Sequence, residues 1–166
     1  MTVKIGKSCA CVKITGRANF TFSPNFKALL TGLIQKGYTH FVADLSECVL
    51  MDSTFLGTLA GFGLMKNLNA AQHCEIELLN PSPRVSELLE NLGVLPLFKV
   101  TTGPLQLADD VKESQPAHST HSREEITRTC LEAHRALMAA NPDNAARFKD
   151  VTQFLAEDLK NLEKAS

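Results

Sequence analysis

Two hydroxyls beside a carboxylate are the first candidates for chemistry in this chain: Asp52, Ser53 and Thr54, followed directly by Phe55, Leu56 and Gly57. An apolar stretch from Phe41 to Leu45 runs up to them through a short polar segment, and a helical pattern starts inside them. A strand, a loop and a helix in that order place the triplet at a helix N-terminus. The first-turn amides there have no partners of their own, and Asp52 and Ser53 can each offer them a side-chain oxygen. The same unpaired amides, with the helix dipole, make that end a comfortable place for an anion.

Other reactive side chains form no convincing constellation. The five cysteines are Cys9, Cys11, Cys48, Cys74 and Cys130. An odd number in a chain with no export signal predicts free thiols. Cys9 and Cys11 share one face of a strand-like stretch and read as small buried apolar side chains. No second close-spaced pair completes a zinc site. His40 or His73 can be drawn into a triad with Ser53 and Asp52. The sequence has no Gly-x-Ser-x-Gly elbow, however, and nothing in it draws a histidine toward Ser53. His118 and His121 lie in or beside a polar segment and read as solvated, so with His134 they predict no metal site. No phosphate-binding Walker loop is present. The expectation is a protein that is not an enzyme and needs no cofactor and no metal.

The elements that position the triplet follow from apolar periodicity. Val3 to Ile5 and Cys9 to Thr15 predict an opening hairpin, with Gly16 to Phe22 irregular. Ser23-Pro24 predicts a helix start with Ser23 as the cap, and Phe26, Leu29, Leu30, Leu33 and Ile34 form its stripe until Gly37. Thr39 to Leu45 predicts a central strand. The helix after Ser53 is expected to reach about Asn69, its first turn partly exposed. Glycines at 57, 61 and 63 suggest close packing or a smooth face for a partner. Glu75 to Leu79 is a strand. Ser82-Pro83 starts a helix with the stripe Val85, Leu88, Leu89 and Leu92, ended by Gly93. Leu97 to Val100 predicts a last strand and Leu105 to Lys112 a closing helix.

Strands alternating with helices favour parallel pairing, so the fold class is α/β: a small mixed sheet, mostly parallel in its second half, with helices packed against it. Glu113 to His121 reads as a linker. Ser122 to Glu125 fits a capping box, Ile126, Cys130, His134 and Leu137 form a stripe, and Asn141-Pro142 breaks the helix. Phe148, Val151, Leu155, Leu159 and Leu162 give a second apolar face. The organisation is then residues 1–113, a linker at 114–121 and a two-helix extension at 122–166. That extension should pack on the sheet domain, on a second copy as a homodimer, or on a partner.

The totals remove some classes of function. The 166 residues are 44% hydrophobic and 21% charged with a net charge of −1, an ordinary globular balance that gives no sign of nucleic-acid binding. No apolar run is long enough to span a membrane, and the N-terminus lacks a signal-peptide core, so the expected location is the cytoplasm.

Residues 1 to about 113 resemble a STAS domain of the bacterial anti-sigma factor antagonist type. The resemblance rests on Met51-Asp52-Ser53-Thr54-Phe55-Leu56-Gly57, with Asp44-Leu45-Ser46 before it and Ser82-Pro83-Arg84-Val85 and Leu97-Phe98-Lys99-Val100 after it. The family motif is Asp-Ser-Ser/Thr-Gly-Leu-Gly at a helix start, and this chain departs from it with Phe55 in place of glycine. A bulky residue there is expected to change the surface near the hydroxyl. Residues 122–166 lie outside the family's minimal domain.

The resemblance implies a regulatory protein-binding switch. Its partners would be an anti-sigma factor that doubles as a serine kinase and a PPM-type phosphatase that reverses the modification. Ser53 becomes the phosphoacceptor, Thr54 the secondary one, and Asp52, Ser53, Thr54, Phe55, Leu56 and Gly57 the partner-binding stretch. On the residues alone Ser53 is a plain helix cap. The alternative reading is a non-catalytic STAS accessory subunit that docks on a transporter ATPase through the same loop.

Overall fold

The computed structural model describes residues 1–65, 73–107, 112–116 and 119–165. Its strands are β1 (Thr2–Ile5), β2 (Cys9–Ala18), β3 (His40–Met51), β4 (Glu75–Leu79), β5 (Lys99–Thr101) and β6 (Lys112–Ser114). Its helices are α1 (Ser23–Gln35), α2 (Ser53–Leu64), α3 (Pro83–Asn91), α4 (Arg123–Ala140) and α5 (Asn144–Ala165). The strands form one mixed sheet in the order β5-β4-β3-β2-β1-β6. β2, β3, β4 and β5 run parallel, while β1 is antiparallel to both β2 and β6.

One face of the sheet carries the main core. Val12, Ile14, Phe41, Ala43, Leu45, Ile76 and Leu78 meet Phe26, Leu30 and Leu33 of α1, Phe55, Leu56 and Leu59 of α2, and Val85 and Leu89 of α3. The other face has a smaller cluster, Cys11, Val42 and Leu79, against which Leu105 and Leu107 pack. α4 lies against α2 and α1, and α5 against α4, so the C-terminal helices form an outer layer. Leu137 and Phe148 join the main core from that layer.

Several local expectations change. β3 does not end at Leu45 but continues to Met51, so the expected polar loop is strand. Two register shifts against β2 explain this: β3 carries an extra residue after Asp44 and again after Cys48. Bulges of this kind invert the in–out alternation, and Val49 is accordingly 70% exposed. The Asp44 side chain accepts from the Ser46 amide at 3.0 Å at the first bulge, and Gly16 supplies a positive φ opposite the second. The stretch expected to be irregular from Gly16 is strand as far as Ala18. Ser23 is the first residue of α1 rather than its cap; its hydroxyl donates back to the Asn19 carbonyl at 3.1 Å.

The predicted strand at Leu97 to Val100 is a 3-10 turn, Leu95–Leu97, followed by the short β5. The predicted closing helix is irregular at 105–107 and strand at Lys112, its middle lying outside the described residues. The far end of the helix expected to reach Asn69 also lies outside them. The first residues of the expected linker, Glu113 and Ser114, belong to β6. A three-residue polar edge strand has no apolar period to betray it.

Candidate functional site

Met51 ends β3 and Asp52 caps α2. Asp52 has extended backbone, and its Oδ1 accepts from the Phe55 amide at 2.8 Å. Its Oδ2 accepts from the Phe20 amide at 2.8 Å, and its own amide donates to the Ala18 carbonyl at 3.0 Å. One carboxylate thus ties the loop before α1 to the start of α2. With capping done by Asp52, Ser53 stands one position inside the helix and its hydroxyl is not needed by the first turn.

That hydroxyl meets a histidine. His134 Nδ1 is 2.8 Å from the Cys130 carbonyl, which can only accept, so Nδ1 carries the proton. In the neutral ring Nε2 then holds a lone pair, and the Ser53 hydroxyl donates to it at 3.2 Å. The ring is fixed from behind by Phe148, at a centroid distance of 4.9 Å. Ser53 and Asp52 are half-buried, whereas His134 is buried. The expectation that no histidine approaches Ser53 is therefore corrected. The partner is His134 of α4, not His40 or His73. The sequence held one signal for it: His134 lies on the buried stripe of its helix, and a buried imidazole needs partners for both nitrogens.

The rest of the first turn is covered. Thr54 is buried, with its hydroxyl 3.8 Å from the Cys130 sulfur. The Phe55 ring packs on Phe26 at 4.8 Å, so this departure from the family motif fills the core and leaves the surface beside Ser53 alone. Leu56 is fully buried. Gly57 lies against α4: a Cβ there would be 2.3 Å from the Ala133 carbonyl oxygen and 2.9 Å from its Cβ. Of the six residues expected to meet a partner, only Asp52 and Ser53 keep partial exposure, so the partial exposure expected of the first turn is confined to Ser53.

The other candidates fall elsewhere. All five cysteines are free thiols. Burial pushes the interior thiols of Cys11 and Cys74 up to about 12 and that of the half-buried Cys9 up to about 11, so none of the three is an activated thiolate. His40 lies on the open face of the sheet, 3.8 Å from both Glu75 and Glu77. His121, expected to be solvated, is 2.9 Å from the Asn25 side-chain oxygen and helps fasten the linker to α1. His118 is outside the described residues. Among the described residues, no group of three acidic, histidine or cysteine side chains is placed to hold a metal ion. No helix among them is long and apolar enough to cross a membrane.

A strand, an Asp cap and an adjoining serine at the head of α2, on a sheet of this order, is the arrangement that the family match covers. The family described as STAS domain matches residues 1–113. The chain belongs to the STAS domain family. Among solved structures, SpoIIAA, an anti-sigma factor antagonist in its unphosphorylated form, is similar over 60% of this chain and 84% of its own, with 21% identity and a TM-score of 0.50. TM1081 is similar over 60% of this chain and 78% of its own, with 20% identity and a TM-score of 0.51. At such identities the likeness is one of fold. No curated protein matches the chain. α4 and α5 lie beyond the STAS match, and α4 supplies the side chain that meets Ser53.

Proposed function

We propose that this STAS protein is a regulatory binding switch of the anti-sigma factor antagonist type, a binding protein rather than an enzyme, working in the cytoplasm. Ser53 is its phosphoacceptor. The partners are an anti-sigma factor that is also a serine kinase and a PPM-type phosphatase that removes the phosphate. The observation that carries this reading is the division of labour at α2: Asp52 does the capping, which leaves the hydroxyl of the half-buried Ser53 unclaimed by the helix. Thr54 is the secondary acceptor, and its burial makes it the poorer one.

In the transfer, the γ-phosphoryl group of ATP moves to Ser53 Oγ. The new O–P bond forms as the bond to the β-phosphate oxygen breaks, ADP leaves and the hydroxyl proton is released. The phosphate adds about −1.5 to −2 charges at neutral pH. The helix N-terminus tolerates that charge, so the domain stays folded. A partner surface fitted to a neutral hydroxyl does not, because it must bury the phosphate beside Asp52. A loss of about 3 kcal/mol there lowers affinity by more than a hundredfold.

The full-length protein, incubated with ATP and a serine kinase of the anti-sigma class, is expected to gain one phosphate that peptide mass mapping puts on Ser53. Phosphate acquired equally by a Ser53→Ala, Thr54→Ala double variant would overturn the assignment.

A further inference from the structure

The two faces of α2 differ in what they offer. Its outer face, toward α4, is built from Thr54, Gly57, Thr58 and Gly61, all small, and the facing residues of α4 are Thr129, Cys130, Ala133 and Ala136. The helices approach closely at Gly57 but leave a cleft of about 200 Å³ beside that contact, bordered by Phe62 and Met65 and by Lys27 and Glu132, which form an ion pair. Small, partly polar surfaces with an unfilled cleft resemble a separable interface rather than a domain core. The hydroxyl of Thr58 is satisfied within its own helix by the Thr54 carbonyl at 2.9 Å, so parting the helices strands no buried hydrogen bond there.

The firmer attachment lies at the hairpin turn. The Asn144 side chain, buried, donates to the Leu92 and Leu137 carbonyls at 2.9 Å each. The other end is fastened through Asn25, by exposed bonds with Ser119 at 3.2 and 3.3 Å and by the 2.9 Å contact with His121. The structure thus provides a pivot at one end of α4, a polar fastening through Asn25 at the other, and two side-chain hydrogen bonds, Ser53 to His134 and the longer Thr54 to Cys130, between the cover and the first turn of α2.

We propose that α4 is an intramolecular cover which occupies the face of α2 that a protein partner must reach, and that Ser53 and His134 form its latch, weak when Ser53 is free and tight when it is phosphorylated. The proposal rests on Ser53 being the phosphoacceptor. With a free hydroxyl the latch is a single neutral hydrogen bond, which a competing helix of small side chains can displace. After modification Oγ has no proton to donate. The bridge between Nε2 and the phosphate dianion needs one further proton, drawn from water. The Nε2–H then donates to a phosphate oxygen while Nδ1–H keeps the Cys130 carbonyl. Charge-assisted hydrogen bonds of this kind are about twice as strong as neutral ones. Phosphorylation therefore opposes the partner in two ways, by charge on the contact surface and by holding the cover shut.

Cys130 reports the state of the cover, since its thiol is buried in the contact and burial raises its pKa, so alkylation needs opening. Cys74, fully buried in the main core just before β4, reports opening of that core. The experiment is N-ethylmaleimide alkylation of the full chain, mapped by mass spectrometry at both thiols. In Gly57→Ala the added methyl cannot fit beneath the Ala133 backbone, although alanine favours a helix by about 1 kcal/mol over glycine. The expected result is at least tenfold faster reaction at Cys130 with Cys74 unchanged. His134→Ala should quicken Cys130 severalfold. Chain carrying phosphoserine at position 53, installed during synthesis without any kinase, should react severalfold more slowly at Cys130 than unmodified protein, and this slowing should vanish in His134→Ala. Cys130 and Cys74 accelerating together in Gly57→Ala, or phosphoserine leaving the Cys130 rate unchanged, would overturn the cover. No kinase enters this experiment, so its failure leaves the phosphorylation assay of Ser53 standing, and the reverse holds too.

Discussion

α2 faces two neighbours and is built differently toward each. Toward the sheet it presents Phe55, Leu56 and Leu59, all buried in the main core. Toward α4 it presents Thr54, Gly57, Thr58 and Gly61. Apolar burial stabilises by about 25 cal/mol per Å², so the first face carries folding energy and the second, with little side chain to bury, carries little. The helix is consequently a fixed member of the STAS domain and a loosely held partner of the tail. The difference teaches where regulation can act without unfolding: on the contact whose residues are small.

Substitutions along the helix should reproduce this contrast. Leu59→Ala, on the sheet side, leaves a cavity in the main core and is expected to cost about 2–5 kcal/mol in urea denaturation. A cost below 1 kcal/mol would contradict the assignment of that face to the core. Asp52→Ala, at the boundary between the faces, removes the cap and the bond to the Phe20 amide, and about 1–2 kcal/mol should be lost. Ser82→Ala, which removes only the 3.3 Å bond to the Val85 amide at the head of α3, is the milder comparison and should cost less. Thr58→Ala, on the tail side, should change stability by less than about 0.5 kcal/mol, because alanine is the better helix former and the lost hydroxyl served only its own helix. A large loss from Thr58→Ala would erase the distinction between the two faces.

What could be read from the sequence was local. Ser82 and Ser122 announce their caps, Gly93 its positive φ, and the stripe Val85, Leu89 and Leu92 its buried face, because each depends on neighbours within a turn or two. β3 was legible only to Leu45, since the bulges after Asp44 and Cys48 break the period on which strand reading depends. Asp52 and Ser53 looked interchangeable as caps; which of them serves is fixed by the additional bond from the Phe20 amide to the carboxylate, a contact 32 residues away. The Ser53–His134 contact spans 81 residues and two layers, and no local pattern encodes it. α5 was read as a regular apolar face, yet along it Phe148 is buried, Leu155 and Leu159 are half-buried and Val151 is 37% exposed. Periodicity shows that a stripe exists but not how much of it a neighbour covers.

β6 has a bearing on how this protein can be dissected. The strand hydrogen-bonds along the outer edge of β1, pairing Lys112 with Ile5, Glu113 with Lys4 and Ser114 with Val3. A version of the chain stopped just before Lys112, with the aim of isolating the domain from its tail, would strip that edge as well. It would leave the amides and carbonyls of β1 open to strands from other molecules. Aggregation of such a fragment would then report a missing seam in the sheet and say nothing about whether the helices were needed.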